Sequence, residues 1–247
     1  MAMRGVQERP AGLHYRADVV GRAEQSALLD WCRSLETEPV VMHGVESRRR
    51  VRHFGVHYDA ASWRTAPTEV VPAELVRLRE LAAALADVEP ATLAEALVTH
   101  YPPGAGIGWH RDAQAFGPVV VGVSLAADAV MRFQRTAAGG ERRVFEQPLA
   151  RGSAYVLSGA ARSAWQHSVP AVKEERWSVT FRQLRRRPDA SASAGYRSDM
   201  TTTPDDQSPA EAFQDKDDDK PGVEVGMTEG EGSTFEPEED PEGSAGS

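Results

Sequence analysis

Cysteine is nearly absent: Cys32 is the only one in 247 residues. No intrachain disulfide or cysteine-based zinc site can form, as fits a reducing compartment. Lysine is as scarce through the first 200 residues, where Lys173 stands alone and the positive charge is arginine. Arginine's planar fork suits carboxylates and phosphates, although a GC-rich genome gives the same bias. No stretch approaches the ~18 consecutive apolar residues of a membrane span. Residues Met1 to Pro10 lack the apolar run of a signal peptide. The expectation is a soluble, intracellular protein, in cytoplasm or nucleus, without membrane association and monomeric.

The chain is 40% hydrophobic and 7% aromatic, enough for a real core. Its net charge of −9 is unevenly spread. Residues 201–247 hold 15 Asp and Glu against Lys216 and Lys220, a net of −13, which leaves the first 200 residues at +4. Beyond about Asp199, Asp, Glu, Gly, Ser and Pro dominate. Such a segment buries too little apolar surface to offset its ordering entropy. A folded domain over 1–198 is expected, followed by an acidic disordered tail over 199–247.

Within the domain, Leu28, Trp31, Cys32 and Leu35 fall at i, i+3, i+4 and i+7, one apolar stripe of a helix from about Arg22 to Leu35. Cys32 on that stripe reads as a small buried residue rather than a nucleophile. A second helix starts at Pro72, a favoured first-turn residue, with Leu75, Leu78, Ala82 and Leu85 on its buried face. After Glu95 the period shortens. Strands are expected near 96–101, 118–125, 129–134, 142–147, 153–158 and 176–184, with Gly139-Gly140 as a hairpin turn. The reading is a mainly β sandwich, barrel or jelly roll with two helices ahead of it.

His110-Arg111-Asp112 is the sharpest local feature. Residues i and i+2 of an extended chain point to one side, so both can ligate one metal from a single strand end. His167 is the best third candidate, because it precedes the last strand; His14, His43, His53, His57 and His100 compete for the role. Two histidines and a carboxylate leave open positions on one side of a metal, which favours non-haem Fe(II) oxygenase chemistry. In Arg176-Trp177-Ser178-Val179-Thr180-Phe181-Arg182, one face is apolar and the other carries two arginines and two hydroxyls. A strand with that polar face inside a barrel could hold a dicarboxylate. Alternatively, its arginines meet water. Six residues of strand span about 20 Å, too far for both arginines to grip one five-carbon diacid, so one of them could instead brace the metal-site carboxylate.

Together these blocks resemble the AlkB-like family of Fe(II)/2-oxoglutarate dioxygenases, over roughly residues 12–185. The carriers are Tyr101-Pro-Pro-Gly-Ala-Gly-Ile-Gly-Trp-His110-Arg-Asp112, Val121-Gly-Val-Ser-Leu125, Trp165-Gln-His167-Ser-Val-Pro170 and the Arg176–Arg182 strand, in the family's order and spacing. Arg48 to Tyr58 looks like the family's substrate lid. The resemblance implies a double-stranded β-helix (jelly-roll, cupin-like) core at 96–185, with helices and lid at 12–95. It implies Fe(II) on His110, Asp112 and His167, with 2-oxoglutarate and O2 as co-substrates. Arg176 and Ser178 would hold the distal carboxylate of 2-oxoglutarate, Arg182 would act near the other, and Tyr101 would hydrogen-bond it. Thr99 stands where the family often has asparagine, and Ser178 replaces an asparagine of its best-known member, although serine there suits the wider superfamily. Gln114 stands where some members carry an acid that recognises the substrate base. The implied reaction is oxidative demethylation of alkylated DNA or RNA, releasing formaldehyde.

Gly104, Gly106 and Gly108 are not followed by a helix pattern, so a dinucleotide-binding loop is discounted. Ser124 lacks a nucleophile elbow and reads as a small residue near the iron. Arg52, Phe54, His57 and Tyr58 are candidates to contact a flipped base, against the alternative of an ordinary strand pair with exposed arginines. The competing functions are a protein-directed hydroxylase or demethylase, and a metal-free binding module that keeps the fold.

Overall fold

The computed structural model describes residues 4–42, 45–59 and 64–185. The expected acidic tail, and His43 among the competing histidines, lie outside them. In chain order the elements are β1 (Val6–Gln7), β2 (Leu13–Arg16), α1 (Arg22–Ser34), β3 (Glu38–Met42), β4 (Val45–Phe54), β5 (Val56–Asp59), β6 (Arg64–Pro67) and α2 (Ala73–Ala86). A 3-10 turn at Pro90–Thr92 then leads to β7 (Leu93–Tyr101), β8 (Ile107–His110), β9 (Phe116–Leu125), β10 (Ala129–Thr136) and β11 (Arg142–Leu149). Last come β12 (Ala154–Leu157), α3 (Gly159–Ser163), β13 (Gln166–Val169) and β14 (Arg176–Leu184).

The strands form a seven-stranded sheet, ordered β2-β12-β9-β14-β7-β4-β3, and a five-stranded sheet, ordered β1-β11-β10-β13-β8. β5 and β6 pair separately. Strand alternation explains how the layers assemble. In β14, Trp177, Val179 and Phe181 are buried together with Leu28 and Cys32 of α1 and Leu75, Leu78 and Ala82 of α2. This core seals the helices to the outer face of the large sheet, and each of its leucines, valines and phenylalanines contributes about 1.5–3 kcal/mol by burial. Cys32 is fully buried there, and that burial pushes its thiol up to about 12. A second core lies between the sheets: Tyr101, Val120 and Leu157 from the large one meet Met131, Phe133 and Val169 from the small one. Two facing sheets with helices outside make the expected double-stranded β-helix.

The six expected strands are all present, each within three residues of its predicted limits. What differs lies ahead of and between them. The N-terminal part is not purely helical: β3 and β4 extend the large sheet beyond β7, and β2 closes its other edge. β8, at the edge of the small sheet, and β13 beside it, four residues each, carry the histidines.

Candidate active site

The polar face of β14 is directed into the space between the sheets. Arg176, Ser178, Thr180 and Arg182 line one pocket with Thr99, Tyr101 and Leu97 of β7. The register explains this, because Arg176 lies opposite Tyr101, Ser178 opposite Thr99 and Arg182 opposite Glu95. Side chains directly opposite in a sheet share a face.

His110 and His167 reach the same pocket from the opposite sheet, where β8 and β13 set them side by side in register. Their ring centroids are 4.2 Å apart. Gly106 allows the close approach: a Cβ there would lie 2.6 Å from the Val169 carbonyl oxygen. His110 Nδ1 lies 2.9 Å from the Gly108 carbonyl oxygen. A carbonyl only accepts, so Nδ1 carries the proton and Nε2 presents its lone pair. Burial, reinforced by neighbouring His167, pushes the His110 imidazole down to about 3. Burial likewise lowers His167. Both rings are therefore neutral at physiological pH, the form that ligates a metal.

Asp112 follows in the loop after β8. Its Oδ1 accepts from Arg182 Nε at 2.8 Å, while its Oδ2 is buried with no hydrogen-bond partner and lies 3.6 Å from His167 Nε2. Burial opposes its charge most strongly of any single influence, but Arg182, His167, Arg162 and His110 together outweigh it, so the carboxyl ionises well below the ordinary range. Arg162 of α3 clamps this loop, donating to the carbonyl oxygens of Asp112 at 3.0 Å and Ala113 at 2.9 Å.

These groups fit a divalent cation. An orphaned carboxylate oxygen and two neutral imidazoles face one another, and donors ~2.1 Å from a common ion stand ~3–3.6 Å apart at angles of about 90–120°, which brackets the His167–Asp112 separation. Among the described residues, no three His, Cys, Asp or Glu donors are already aligned on one point; these three meet as pairs. The other described histidines are elsewhere. His100 stacks on Trp177 at 4.3 Å and bonds Glu175, His14 is exposed on β2, His53 bonds Glu95, and His57 is exposed.

Arg176 and Arg182 differ in their partners. Arg176 is 2% exposed, donates from Nη2 to Ser124 Oγ at 2.9 Å and lies 5.0 Å over the Tyr101 ring. No carboxylate among the described residues pairs with it, and its Nε is buried without a partner. Ser124 thus serves this arginine. Arg182 is held by two carboxylates, Asp112 and Glu95, at 2.8 Å each. Burial works against its charge, but Glu95 and Asp112 outweigh it and hold the guanidinium charged.

Strand parity corrects two expected substrate contacts. β4 pairs with β7 so that Val51 opposes Thr99 and Arg52 opposes Val98. Arg49, Val51 and His53 therefore share the pocket face, and Arg50, Arg52 and Phe54 share the helix face. Arg52 pairs with Glu69 at 2.5 Å, and Phe54 is buried against Trp31 with ring centroids 6.0 Å apart. Neither reaches the pocket. His57, edge-on to His53 at 4.6 Å, and Gln114, beside Asp112, are exposed; Tyr58 is part of the β5–β6 pair. Arg49, not anticipated, lines the pocket at 8% exposure, and Arg48 reaches within 3.1 Å of where a Gly104 Cβ would sit. Glu95 and Arg162 were also not anticipated, and neither carries a local sequence signal.

A jelly roll whose interior gathers two histidines, an aspartate and buried arginines defines a metal-dependent oxygenase type of site. The sequence matches the 2OG-Fe(II) oxygenase superfamily over residues 21–202, and the chain belongs to that superfamily. It is an oxidoreductase that uses Fe(II), 2-oxoglutarate and O2. No curated protein matches the chain. Among solved structures, that of OsALKBH1 superposes with a TM-score of 0.55 at 16% identity, covering 71% of this chain and 98% of that one. A Pseudomonas putida prolyl-4-hydroxylase gives 0.49 at 19% identity, covering 70% and 93%. A 2OG-Fe(II) oxygenase family oxidoreductase from Burkholderia pseudomallei gives 0.49 at 20%, covering 74% and 96%. The OsALKBH1 likeness agrees with the AlkB-like resemblance at the level of fold. Among the described residues, no helix is long and apolar enough to cross a membrane.

Proposed function

We propose that the enzyme oxidatively demethylates alkylated bases in DNA or RNA, with iron on His110, Asp112 and His167. Bound Fe(II), with 2-oxoglutarate and O2, supplies the oxidising power that hydroxylates a substrate methyl group; the hydroxymethyl product on nitrogen then breaks down to formaldehyde. His110 offers Nε2, its tautomer fixed by the Gly108 carbonyl, and Asp112 offers the unpartnered Oδ2. Arg176 and Ser178 bind the distal carboxylate of 2-oxoglutarate, with Tyr101 and Thr99 beside it on the same sheet face. Arg182 orients Asp112 and acts near the other carboxylate.

The observation that carries the substrate reading is the basic run on β4. Arg49 enters the pocket wall, while Arg48 and Arg50 stand exposed on the same strand and Arg111 beside His110. Phosphates are gripped by such arginines, and a base must leave its stack to enter a buried site. His57 and Tyr58, with Gln114, are the remaining candidates to contact it. The net charge of +4 over the first 200 residues points the same way. The test is succinate and formaldehyde release with Fe(II), 2-oxoglutarate and a panel of methylated oligodeoxynucleotides, oligoribonucleotides and peptides. Oligonucleotide-dependent turnover that falls in Arg49→Met is expected. Turnover with peptides alone would replace this reading by a protein-directed hydroxylase or demethylase.

A further inference from the structure

Glu95 is the most deeply buried acid in the described chain, at 0% exposure, and it sits on the pocket face of β7. A carboxylate there is costly to desolvate unless it is paired, and packing alone would be served by an apolar residue. Both of its oxygens are engaged. Oε2 accepts from Arg182 Nη1 at 2.8 Å, and Oε1 lies 2.9 Å from His53 Nδ1. Arg182 in turn donates from Nε to Asp112 Oδ1 at 2.8 Å. The pairing of β14 with both β7 and β9 shifts register just after Arg182, the kind of irregularity that re-aims a side chain beside a site. Three hydrogen bonds thus connect β4 to Asp112, and His57 of β5 rests edge-on against His53.

We infer that Glu95 is a positioning residue that reserves the charge of Asp112 for the metal, and that His53 ties strand β4 to this function. The inference rests on Asp112 being an iron ligand. Arg182 alone would compete with a cation for Asp112, because one guanidinium charge would be matched by one carboxylate. Glu95 supplies Arg182 with a second carboxylate. The pair of acids then carries one negative charge beyond the guanidinium, and Asp112 Oδ2, buried and unpartnered, is where it can meet a divalent ion. His53 fixes the rotamer of Glu95 from the strand that also carries Arg48 and Arg49. Ordering of β4 and iron occupancy then favour each other, since coupling between two sites is reciprocal.

The test is anaerobic Fe(II) titration of the full chain without 2-oxoglutarate, with a melting curve for each metal-free variant. Glu95→Gln keeps the shape and loses the charge, so Fe(II) affinity should fall about tenfold, as for other groups that support a metal ligand. The turnover rate at saturating Fe(II) should stay within about twofold of wild type, which separates a positioning effect from lost chemistry. His53→Gln should lose less affinity, and the double variant should bind no more weakly than Glu95→Gln alone. Additive losses would overturn the link between His53 and Glu95. Wild-type affinity in Glu95→Gln, with binding abolished in Asp112→Ala, would overturn the inference and leave the triad standing. Normal binding in Asp112→Ala would remove the triad and the inference together. If Glu95→Gln gives no cooperative melt, His53→Gln decides: weaker Fe(II) binding at an unchanged melting temperature supports the inference, and wild-type affinity overturns it.

Discussion

Arg176 allows a test in which function and stability move in opposite directions. Its guanidinium is 2% exposed and has a serine hydroxyl and an aromatic face as partners, but no carboxylate among the described residues. An ionised group held out of water without a counter-charge is destabilising, and replacing buried ionic groups by apolar residues of similar volume often stabilises by about 1–4 kcal/mol. Arg176→Met should therefore raise the stability of the metal-free protein by about 1 kcal/mol or more, a shift of roughly 2–4 °C per kcal/mol for a domain of this size. Affinity for 2-oxoglutarate should fall. Losing the charged partner of a buried carboxylate costs about 3 kcal/mol or more, which is over a hundredfold in Kd at about 1.4 kcal/mol per decade. Arg176→Lys keeps the charge but not the planar fork, so a loss of about tenfold is expected, corresponding to one charge-assisted hydrogen bond of about 1.5 kcal/mol. The assay is anaerobic titration of the Fe(II) protein with 2-oxoglutarate, read by visible absorbance, beside melting curves of the metal-free protein. A lower melting temperature in Arg176→Met with unchanged 2-oxoglutarate affinity would show that the arginine is a structural strut, and the reasoning would fail.

Three further outcomes are expected. Changing His110, Asp112 or His167 to Ala should abolish succinate release and strongly weaken Fe(II) binding; normal iron affinity in His167→Ala would exclude it as a ligand. Gly122→Ala should force the Tyr155 ring aside, because a Cβ there would lie 2.2 Å from Tyr155 Cζ. The expected loss is about 1–3 kcal/mol, visible in the melting curve, and a wild-type curve would mean that the ring yields freely. Truncation near Asp199 should leave iron and 2-oxoglutarate binding intact and strengthen oligonucleotide binding at low salt, since a −13 segment competes with phosphates for arginines and salt screens that competition. Equal low-salt affinities of full-length and truncated protein would exclude competition, and a large drop in melting temperature would move the domain boundary.

Much of this site is legible in the sequence because strand periodicity is strict. In β14 every second residue is polar, so Arg176, Ser178, Thr180 and Arg182 can be assigned to one face before any partner strand is known. His110 and Asp112 follow from spacing, and His167 from its place before that strand. β4 resists the same treatment. Its run Glu46-Ser-Arg-Arg-Arg50 and the arginine after Val51 put charge on both faces, so the pattern does not say which arginines face inward. Only pairing with β7 decides it, sending Arg49 to the pocket and Phe54 to the helices. Glu95 is less visible still. Its partner Arg182 lies 87 residues away, and a lone acid near the start of an apolar strand reads as a solvated end. Arg162 is hidden for a similar reason, because its role is to cap carbonyls of a loop that the helix meets only in three dimensions.

The distance between the two arginines of β14, awkward when both are asked to hold one small diacid, is what allows their roles to separate. Six residues of strand set the Cα atoms of the two arginines about 20 Å apart. At one end Arg176 has hydroxyls around it and no acid among the described residues, so its charge is available to a ligand that enters. At the other end Arg182 carries two acids, so its charge is committed to the protein. A ligand carboxylate exchanging onto Arg182 would have to displace Asp112 or Glu95 and leave it unpaired. The same exchange onto Arg176 displaces no acid. Partner count, more than residue type, thus supports the proposal that Arg176 receives the co-substrate, while Arg182 is paired with the carboxylate beside the histidines.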